Sequence, residues 1–246
     1  MKSIDEAVKV YRRQGGTYLL NAAIEQIYEP IRSRLPRTIT YYNGIRVRAS
    51  RVGDESVPWR AGHPNPEEYE QSLLEGIRNH AQSGDDIVIV GGGWGVSAVV
   101  AAQEVGTTGS VKVYEGAKQW ASRIRETARL NGFSERIEVL HAVVGEAVQL
   151  RDNPGFAQKI EPSELPSSDI VVLDCEGAEI EILTHLVNTP KIAIVESHGF
   201  LGSTTEEVQQ ELKNLGYQNI SSDIAEAGQL EEYCERNDIL VNVATL

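Results

Sequence analysis

The chain has 246 residues, of which 41% are apolar and 24% charged, and its formal net charge is −13. This composition predicts one globular α/β domain with a small appendage and excludes a fibre or a disordered chain. The acidic balance argues against nucleic acid as the main partner, because phosphate binding needs a basic surface. No stretch has the pattern of a signal peptide or a membrane span, so we expect a cytoplasmic protein without a membrane partner.

Lysine is scarce, since only seven of the 23 basic residues are lysines. This acidic, lysine-poor pattern resembles that of proteins from salt-rich cytoplasm and gives the hypothesis that the protein is halophilic. Cys175 and Cys234 lack metal-ligand spacing, and we predict that both are free, buried thiols.

Residues 1–65 are predicted to form a cap that is not an independent domain. Apolar residues at helical spacing predict helices over Ser3–Arg13 and Tyr18–Arg34, the second bent or ended near Pro30. Asn43-Gly44 separates two β-rich runs and predicts a hairpin.

A Gly- and Pro-rich loop is predicted over Val52 to Asn65. Trp59 and His63 lie in this loop and could border a pocket, although ordinary packing in a loop explains them as well.

Residues 66–246 are predicted to form the main domain, in which strands alternate with helices around a mostly parallel sheet. The pattern ends differently, because the last two strands flank an acidic segment and form a terminal pair. The polar segment Ala147 to Pro166 is predicted to be a surface connection. The predicted helices are Pro66–Ala81, Val96–Ala102, Lys118–Asn131, Ala178–Val187 and Thr205–Leu215, and the predicted strands are Asp86–Val90, Val111–Tyr114, Ile137–Val144, Asp169–Asp174, Lys191–Glu196, Tyr217–Ile220 and Ile239–Val243.

A glycine turn stands at the centre of this pattern. Four aliphatic residues up to Val90 predict a strand buried on both faces, the glycines from Gly91 to Gly95 follow at once, and a helix begins at Val96. Strand, glycine turn and helix form a nucleotide-binding geometry, because glycine allows a close approach and helix N–H groups favour negative charge.

Glu115 ends the next strand, twenty residues after Gly95. An acid at this position accepts hydrogen bonds from both hydroxyls of an adenosine ribose and would repel a 2′-phosphate. The glycines fit both the G-x-G-x-G pattern and the G-x-G-x-x-A pattern of dinucleotide-binding proteins. They therefore do not decide which cofactor binds.

The choice between these cofactors rests on the segment Leu173 to Leu183. There an aliphatic strand ends in Asp174-Cys175-Glu176-Gly177, and a helix begins directly afterwards. With Glu196-Ser197-His198 at the next strand end and the elements before it, residues 66–217 resemble the FkbM-type family of S-adenosylmethionine-dependent methyltransferases. The resemblance also covers Asn131-Gly132-Phe133 and the strand end Ala142 to Gly145.

The resemblance implies a class I methyltransferase fold, which is a Rossmann-like sheet of seven strands. The sheet would be mostly parallel with an antiparallel last strand and helices on both faces, and the N-terminal cap would form a lid or substrate wall. Asp174 would face the methionine amine or the reacting centre. The implied cofactor-binding residues are Gly91, Gly93 and Gly95 under the methionine part, Glu115 at the ribose, His141 and Ala142 beside adenine, and also Gly92, Gly116 and Asp174.

The glycine turn also departs from the family pattern. Proteins of this class usually carry an acid two residues before the first glycine, and here that position is Ile89. They also usually have an Asn within the glycine turn, where this chain has Gly93-Trp94. Glu70 or Asp174 could supply the missing carboxylate.

The candidate catalytic residues are His198, Asp174, Glu176 and Glu196. Methyl transfer requires alignment of donor and acceptor and, for a hydroxyl acceptor, removal of a proton. His198 is the candidate base, because its ordinary pKa is nearest neutral, although it could instead cap the strand. The carboxylates of Asp174, Glu176 and Glu196 could together bind a divalent cation. No ligand-spacing motif is present, however, and no metal ligands are assigned.

The sequence therefore predicts a methyltransferase that O-methylates a small, hydroxylated, sugar-like acceptor and leaves a homo-oligomer open. One alternative is an NAD-dependent oxidoreductase, although such a fold would need a second mononucleotide-binding half where this chain has Asp-x-Glu-Gly and a terminal strand pair. The other is a methyltransferase-like binding protein without catalysis, which Ile89 makes plausible.

Overall fold

A computed structural model of the chain describes residues 27–54, 68–146 and 155–246. These residues group into two compact units, one with residues 27–40 and 48–54 and the other with residues 41–47, 68–146 and 155–246. The predicted helix Ser3–Arg13, the start of the helix Tyr18–Arg34, and both Trp59 and His63 lie outside the described residues.

The hairpin predicted from Asn43-Gly44 is confirmed. Strands β1 (Arg37–Tyr42) and β2 (Ile45–Arg51) form a two-stranded sheet. Asn43 and Gly44 take φ values of 50° and 82°, the left-handed conformation that a tight two-residue hairpin turn requires.

The smaller unit is held by the carboxylate of Asp54. Residues 27–32 are helical, so this helix ends two residues after Pro30. Arg32 pairs with Asp54 through two hydrogen bonds of 2.8 Å, and the Tyr28 hydroxyl donates a third of 2.7 Å. Burial alone would raise the pKa of Asp54, but these donors and the Arg51 N–H outweigh burial and hold that pKa well below its usual range.

The main sheet has eight strands in the order β6-β5-β4-β3-β7-β8-β10-β9. All neighbours pair in parallel except β10, which runs antiparallel to both β8 and β9. The strands are β3 (Asp86–Val90), β4 (Ser110–Glu115), β5 (Ile137–Val144), β6 (Gln158–Ile160), β7 (Ile170–Leu173), β8 (Ile192–Glu196), β9 (Asn219–Ile224) and β10 (Leu240–Thr245).

The fold class expected from the sequence is confirmed, including the antiparallel terminal strand, but the strand count of seven is wrong. The additional strand is β6, three residues long, which pairs with Ala142 to Val144 at the sheet edge. It lies in the segment predicted to be only a surface connection. A three-residue edge strand is too short to show a periodic pattern, and its pairing is set by the neighbouring strand.

Six further helices accompany the strands within the described residues. They are α1 (Gln71–His80), α2 (Val96–Glu104), α3 (Lys118–Asn131), α4 (Glu179–His185), α5 (Thr205–Asn214) and α6 (Glu231–Asn237). The predicted helix from Pro66 is wrong at its start, because Glu70 takes φ 48° and ends any continuous helix before Gln71. None of these helices is long and apolar enough to span a bilayer.

The apolar core fills the space between the sheet and its helices. On one face, Ile182 and Leu183 of α4 and Val208 and Leu212 of α5 pack in one cluster with strand residues such as Leu173. All five side chains are fully buried, which contributes about 1.5–3 kcal/mol for each large aliphatic residue. Cys175 is half-buried and Cys234 buried, and both are free thiols.

Candidate functional site

An open cleft lies at the carboxyl ends of the parallel strands, where loops after β3, β4, β5 and β7 meet. It encloses about 590 Å³, counting its opening to solvent. Parallel α/β sheets bind ligands at this edge, on either side of the point where strand order reverses. The lining residues are Val90, Gly91, Gly93, Tyr114, Glu115, Gly116, Trp120, Ala142, Val143, Val144, Asp174, Cys175, Glu176 and Ala178.

Gly91 forms the floor of this cleft, where the chain after β3 passes directly against the chain after β7. Its N–H donates to Tyr114 O at 2.9 Å, and its φ is 83°. A Cβ on Gly91 would stand 1.7 Å from the backbone oxygen of Asp174, a distance that no side chain can occupy. Only glycine therefore permits both the left-handed backbone and this contact.

The glycines of the turn face two directions. Gly91 and Gly93 line the cleft. Gly92 and Gly95 face α3, because a Cβ on either would stand 2.5 or 3.0 Å from atoms of Ile124. The turn therefore presents backbone to the cleft on one side and packs closely against a helix on the other.

Glu115 lines the cleft from the end of β4 and is 9% exposed. Its carboxylate accepts the N–H of Gly92 at 3.2 Å and the N–H of Ala117 at 2.8 Å. One side chain thus connects the glycine turn to the loop before α3. A carboxylate offers about four acceptor sites, so these two bonds are compatible with ribose hydroxyls as further donors.

The region predicted to flank adenine is only partly in the cleft. Ala142 lines the cleft, as does Gly116, which follows Glu115. His141 does not, because its Nε2 lies 3.2 Å from Gly116 O and the ring supports the loop after β4 instead. Trp120 of α3, which the sequence did not single out, lines the cleft at this end.

Trp94, the unusual residue of the glycine turn, belongs to an aromatic cluster. Its ring packs edge-on against Trp120 at 5.0 Å and against Tyr42 at 6.3 Å between centroids. The guanidinium of Arg123 lies 4.7 Å from the Trp94 ring and 4.2 Å from the Trp120 ring, within cation–π range. Ile89, the other departure, is fully buried in β3 as an ordinary core residue.

The loop after β7 is shaped by Glu179, the first residue of α4, which is 0% exposed. Its carboxylate accepts the N–H of Cys175 at 3.1 Å and that of Gly177 at 3.0 Å. The loop needs this support because Glu176, between them, takes a left-handed φ of 56°. Asp174 and Glu176 thereby face the cleft.

The same carboxylate holds His198, which follows β8. Nδ1 of His198 lies 3.0 Å from Glu179 Oε1, and the residue is 4% exposed. Nε2 lies 3.5 Å from Glu196 Oε1 and 3.7 Å from Asp174 Oδ1. Three of the four predicted catalytic residues, Asp174, Glu196 and His198, therefore converge on one point, while Glu176 lines the cleft beside it.

Acidic side chains outnumber basic ones around His198, which lies near the carboxylates of Asp174, Glu179 and Glu196. Burial would lower the pKa of His198, but the Glu179 hydrogen bond and the nearby carboxylates outweigh it and raise the pKa to about 9. Burial, with the like charge of Asp174, Glu70 and Glu226, raises the pKa of Glu196 well above its usual range. In the absence of another cation, the imidazole therefore carries a proton at neutral pH.

Glu70, one of the two residues suggested to replace the missing acid, is buried and lies just before α1. Its charge acts on Glu196, and it does not line the cleft. Asp174, the other, does line it.

Sequence reasoning missed Glu179, although a signal was present. The residues Ala178, Glu179, Ile182 and Leu183 share one side of the helix, and the other three are apolar and buried. A carboxylate on an apolar helix face must find hydrogen-bond donors inside the protein. Here the donors are the loop N–H groups and the imidazole.

Solved structures with a similar fold include three methyltransferases. The S-adenosylmethionine-dependent O-methyltransferase of Thermotoga maritima is 18% identical, with 85% of this chain and 77% of that chain covered and a TM-score of 0.47. The precorrin-6y C5,15-methyltransferase of Geobacter metallireducens is 15% identical, with 71% and 86% covered and a TM-score of 0.49. An S-adenosylmethionine-dependent methyltransferase of Aquifex aeolicus is 14% identical, with 77% and 96% covered and a TM-score of 0.48.

No protein-family model and no curated protein sequence matches the chain. At identities of 14–18%, the similarity to these solved structures shows the fold alone.

Proposed function

We propose that this protein is an S-adenosylmethionine-dependent methyltransferase that O-methylates a small, hydroxylated, sugar-like acceptor. The observation that carries the proposal is the pairing of Glu115 with the glycine turn across one cleft. The ribose of adenosine needs an acid at the end of the strand that follows the glycine turn, here Glu115 at the end of β4. The group attached to the ribose needs a glycine turn whose backbone it can approach closely. A cytoplasmic location, and an N-terminal lid, remain predictions.

The cleft residues fit the cofactor in shape and chemistry. Gly91 presents backbone to the cleft, and Glu115 presents a carboxylate from the wall. Apolar residues such as Val90 and Ala142 alternate with these polar groups, as in most small-molecule sites. When bound, S-adenosylmethionine supplies a methyl group activated by a positively charged sulfur.

Sheet topology supports a methyltransferase over the NAD-dependent alternative. A dinucleotide-binding Rossmann fold has strand order 3-2-1-4-5-6 and repeats its mononucleotide-binding half. Here the antiparallel strand β10 inserts between β8 and β9 in place of that repeat. This topology supports a ligand with one nucleoside rather than a dinucleotide.

The chain's own groups have two tasks in this reaction. The cleft walls align the acceptor with the methyl group, which supplies the proximity that displacement requires. The second task is to bind the acceptor hydroxyl, which we assign to Asp174 because it lines the cleft beside Glu196 and His198. Glu179 acts as a positioning residue, since it contacts the His198 ring and the loop of Asp174.

Calorimetric titration of the full chain tests the proposal. We expect saturable binding of S-adenosylmethionine and S-adenosylhomocysteine and no binding of NAD⁺. NAD⁺ binding would replace the proposal with the oxidoreductase alternative. Absence of binding by all three would favour the non-catalytic binding protein, in which Ile89 and Trp94 mark a lost cofactor site.

A further inference from the structure

We infer that Asp174, Glu196 and His198 form a binding site for a divalent first-row transition-metal ion beside the cleft that Asp174 lines. Each residue offers one donor atom, and the three atoms lie within 4.8 Å of one another. Asp174 follows β7, and Glu196 and His198 lie at the end of the adjacent strand β8, so the sheet itself fixes their proximity.

The two distances from His198 Nε2 to the carboxylates are close to those of atoms sharing an ion. His198 Nε2 lies 3.5 Å from Glu196 Oε1 and 3.7 Å from Asp174 Oδ1, longer than ordinary N–H···O hydrogen bonds. Donors about 2.1 Å from one tetrahedral ion stand about 3.4 Å apart. Both distances from His198 Nε2 are within a few tenths of an ångström of that spacing.

The orientation of the imidazole is an independent observation. His198 is 4% exposed, and Nδ1 is held by Glu179, which contributes no atom to the proposed donor set. Within the described residues, Nε2 makes no hydrogen bond and is directed at the two carboxylates. A carboxylate on one imidazole nitrogen that fixes the other for a metal is a recurrent arrangement in metalloproteins.

The donor set selects the kind of ion. Ca²⁺ and Mg²⁺ prefer oxygen ligands alone, whereas imidazole with carboxylates suits Mn²⁺, Fe²⁺ or Zn²⁺. The charges of Glu70 and Glu226 act on Glu196 and add negative charge around the site. Three protein donors leave coordination positions open for oxygen atoms of a ligand.

The chemical role of this ion rests on the methyltransferase function proposed above, whereas the site rests on geometry alone. Because Asp174 also lines the cleft, an ion on its carboxylate would meet an acceptor there. Coordination lowers the pKa of a bound hydroxyl, whose proton leaves to solvent. The acceptor would therefore be a molecule whose hydroxyl group can coordinate a metal ion.

Titration of the full chain with Mn²⁺, followed by electron paramagnetic resonance without any nucleoside, tests the site. We expect one saturable Mn²⁺ per chain. His198→Ala and Glu196→Gln should each weaken binding by about 10- to 100-fold or more. The control His185→Ala, which changes an exposed histidine on α4, should bind Mn²⁺ as the wild type does.

A second measurement needs no variant and covers the case in which His198→Ala fails to fold. Electron spin-echo modulation of Mn²⁺ bound to the wild type should show a directly coordinated nitrogen. Absence of saturable binding, absence of the nitrogen signal, or full binding by folded His198→Ala and Glu196→Gln would overturn the inference. Nucleoside binding is measured separately, so failure of the metal site and failure of the proposed function are distinguishable.

Discussion

Nδ1 of His198 lies 3.0 Å from Oε1 of Glu179, a contact between two almost completely buried side chains. The same carboxylate accepts the N–H groups of Cys175 and Gly177. One buried acid therefore fixes both the loop after β7 and the histidine after β8. Burial raises the pKa of Glu179, but the His198 contacts and other hydrogen bonds outweigh it, so its net pKa is lowered.

Glu179→Gln should lower the free energy of unfolding by about 1–3 kcal/mol, because the amide loses the charge and one acceptor oxygen. Urea unfolding measures the change. Glu235→Gln, on the exposed side of α6, is the matched control and should be within about 0.5 kcal/mol of wild type. Equal stability of the two variants would contradict the role assigned to Glu179.

Gly91→Ala should weaken nucleoside binding far more than Gly132→Ala does. Both glycines have φ 83°, so both variants carry the same left-handed backbone cost of about 1–2 kcal/mol. The Cβ at position 132 meets nothing within 4 Å, whereas that at position 91 meets Asp174 O at 1.7 Å. We expect Gly132→Ala to keep nucleoside binding and Gly91→Ala to lose it, as measured by calorimetry. Similar behaviour of both variants would show that the contact with Asp174 is unimportant.

Glu115→Ala should weaken S-adenosylhomocysteine binding by about 1–3 kcal/mol, because hydrogen bonds from a charged group to the ribose are lost. Since Glu115 also holds Gly92 and Ala117, its unfolding free energy is measured alongside affinity. A folded Glu115→Ala protein with wild-type affinity would exclude the ribose role.

Several of these features were predictable because their causes are local. Asn43-Gly44 specifies its hairpin through two left-handed residues, and the glycine turn and Glu115 were found from their spacing along one strand-helix-strand unit. The strand ends also predicted that Asp174 and Glu196 lie close together, although the sequence grouped them with Glu176 and treated His198 separately.

Other features depend on tertiary neighbours and could not be found this way. Strand β6 exists because β5 offers a free edge, and the helix starting at Gln71 is shortened by the left-handed Glu70. The raised pKa of His198 depends on three carboxylates from separate segments. The sequence indicates that such groups lie at neighbouring strand ends. It does not give the combined effect of their charges on the pKa.

The Asp54 carboxylate predicts acid sensitivity of the smaller unit. Its folded pKa lies below its unfolded value of about 3.9. The resulting stability is therefore fully present above about pH 4 and is lost as pH falls through the folded pKa. The difference in unfolding free energy between wild type and Asp54→Asn should shrink below about pH 4. A difference that stays constant with pH would contradict the Arg32–Asp54 pairing.

Salt dependence tests the hypothesis drawn from composition. With a net charge of −13, self-repulsion should be screened by added salt, and a halophilic protein should gain stability in molar KCl. Thermal unfolding at low and molar KCl measures this directly. No gain in the melting temperature would remove the halophilic interpretation.

We propose that the cleft between the glycine turn and Glu115 binds the adenosine of S-adenosylmethionine. The decisive measurement is a crystal structure of the protein with S-adenosylhomocysteine. We expect ribose hydroxyls bonded to the Glu115 carboxylate, the homocysteine part over Gly91 and the sulfur towards Asp174. A cleft that stays empty at saturating S-adenosylhomocysteine, or a ribose bound away from Glu115, would contradict it.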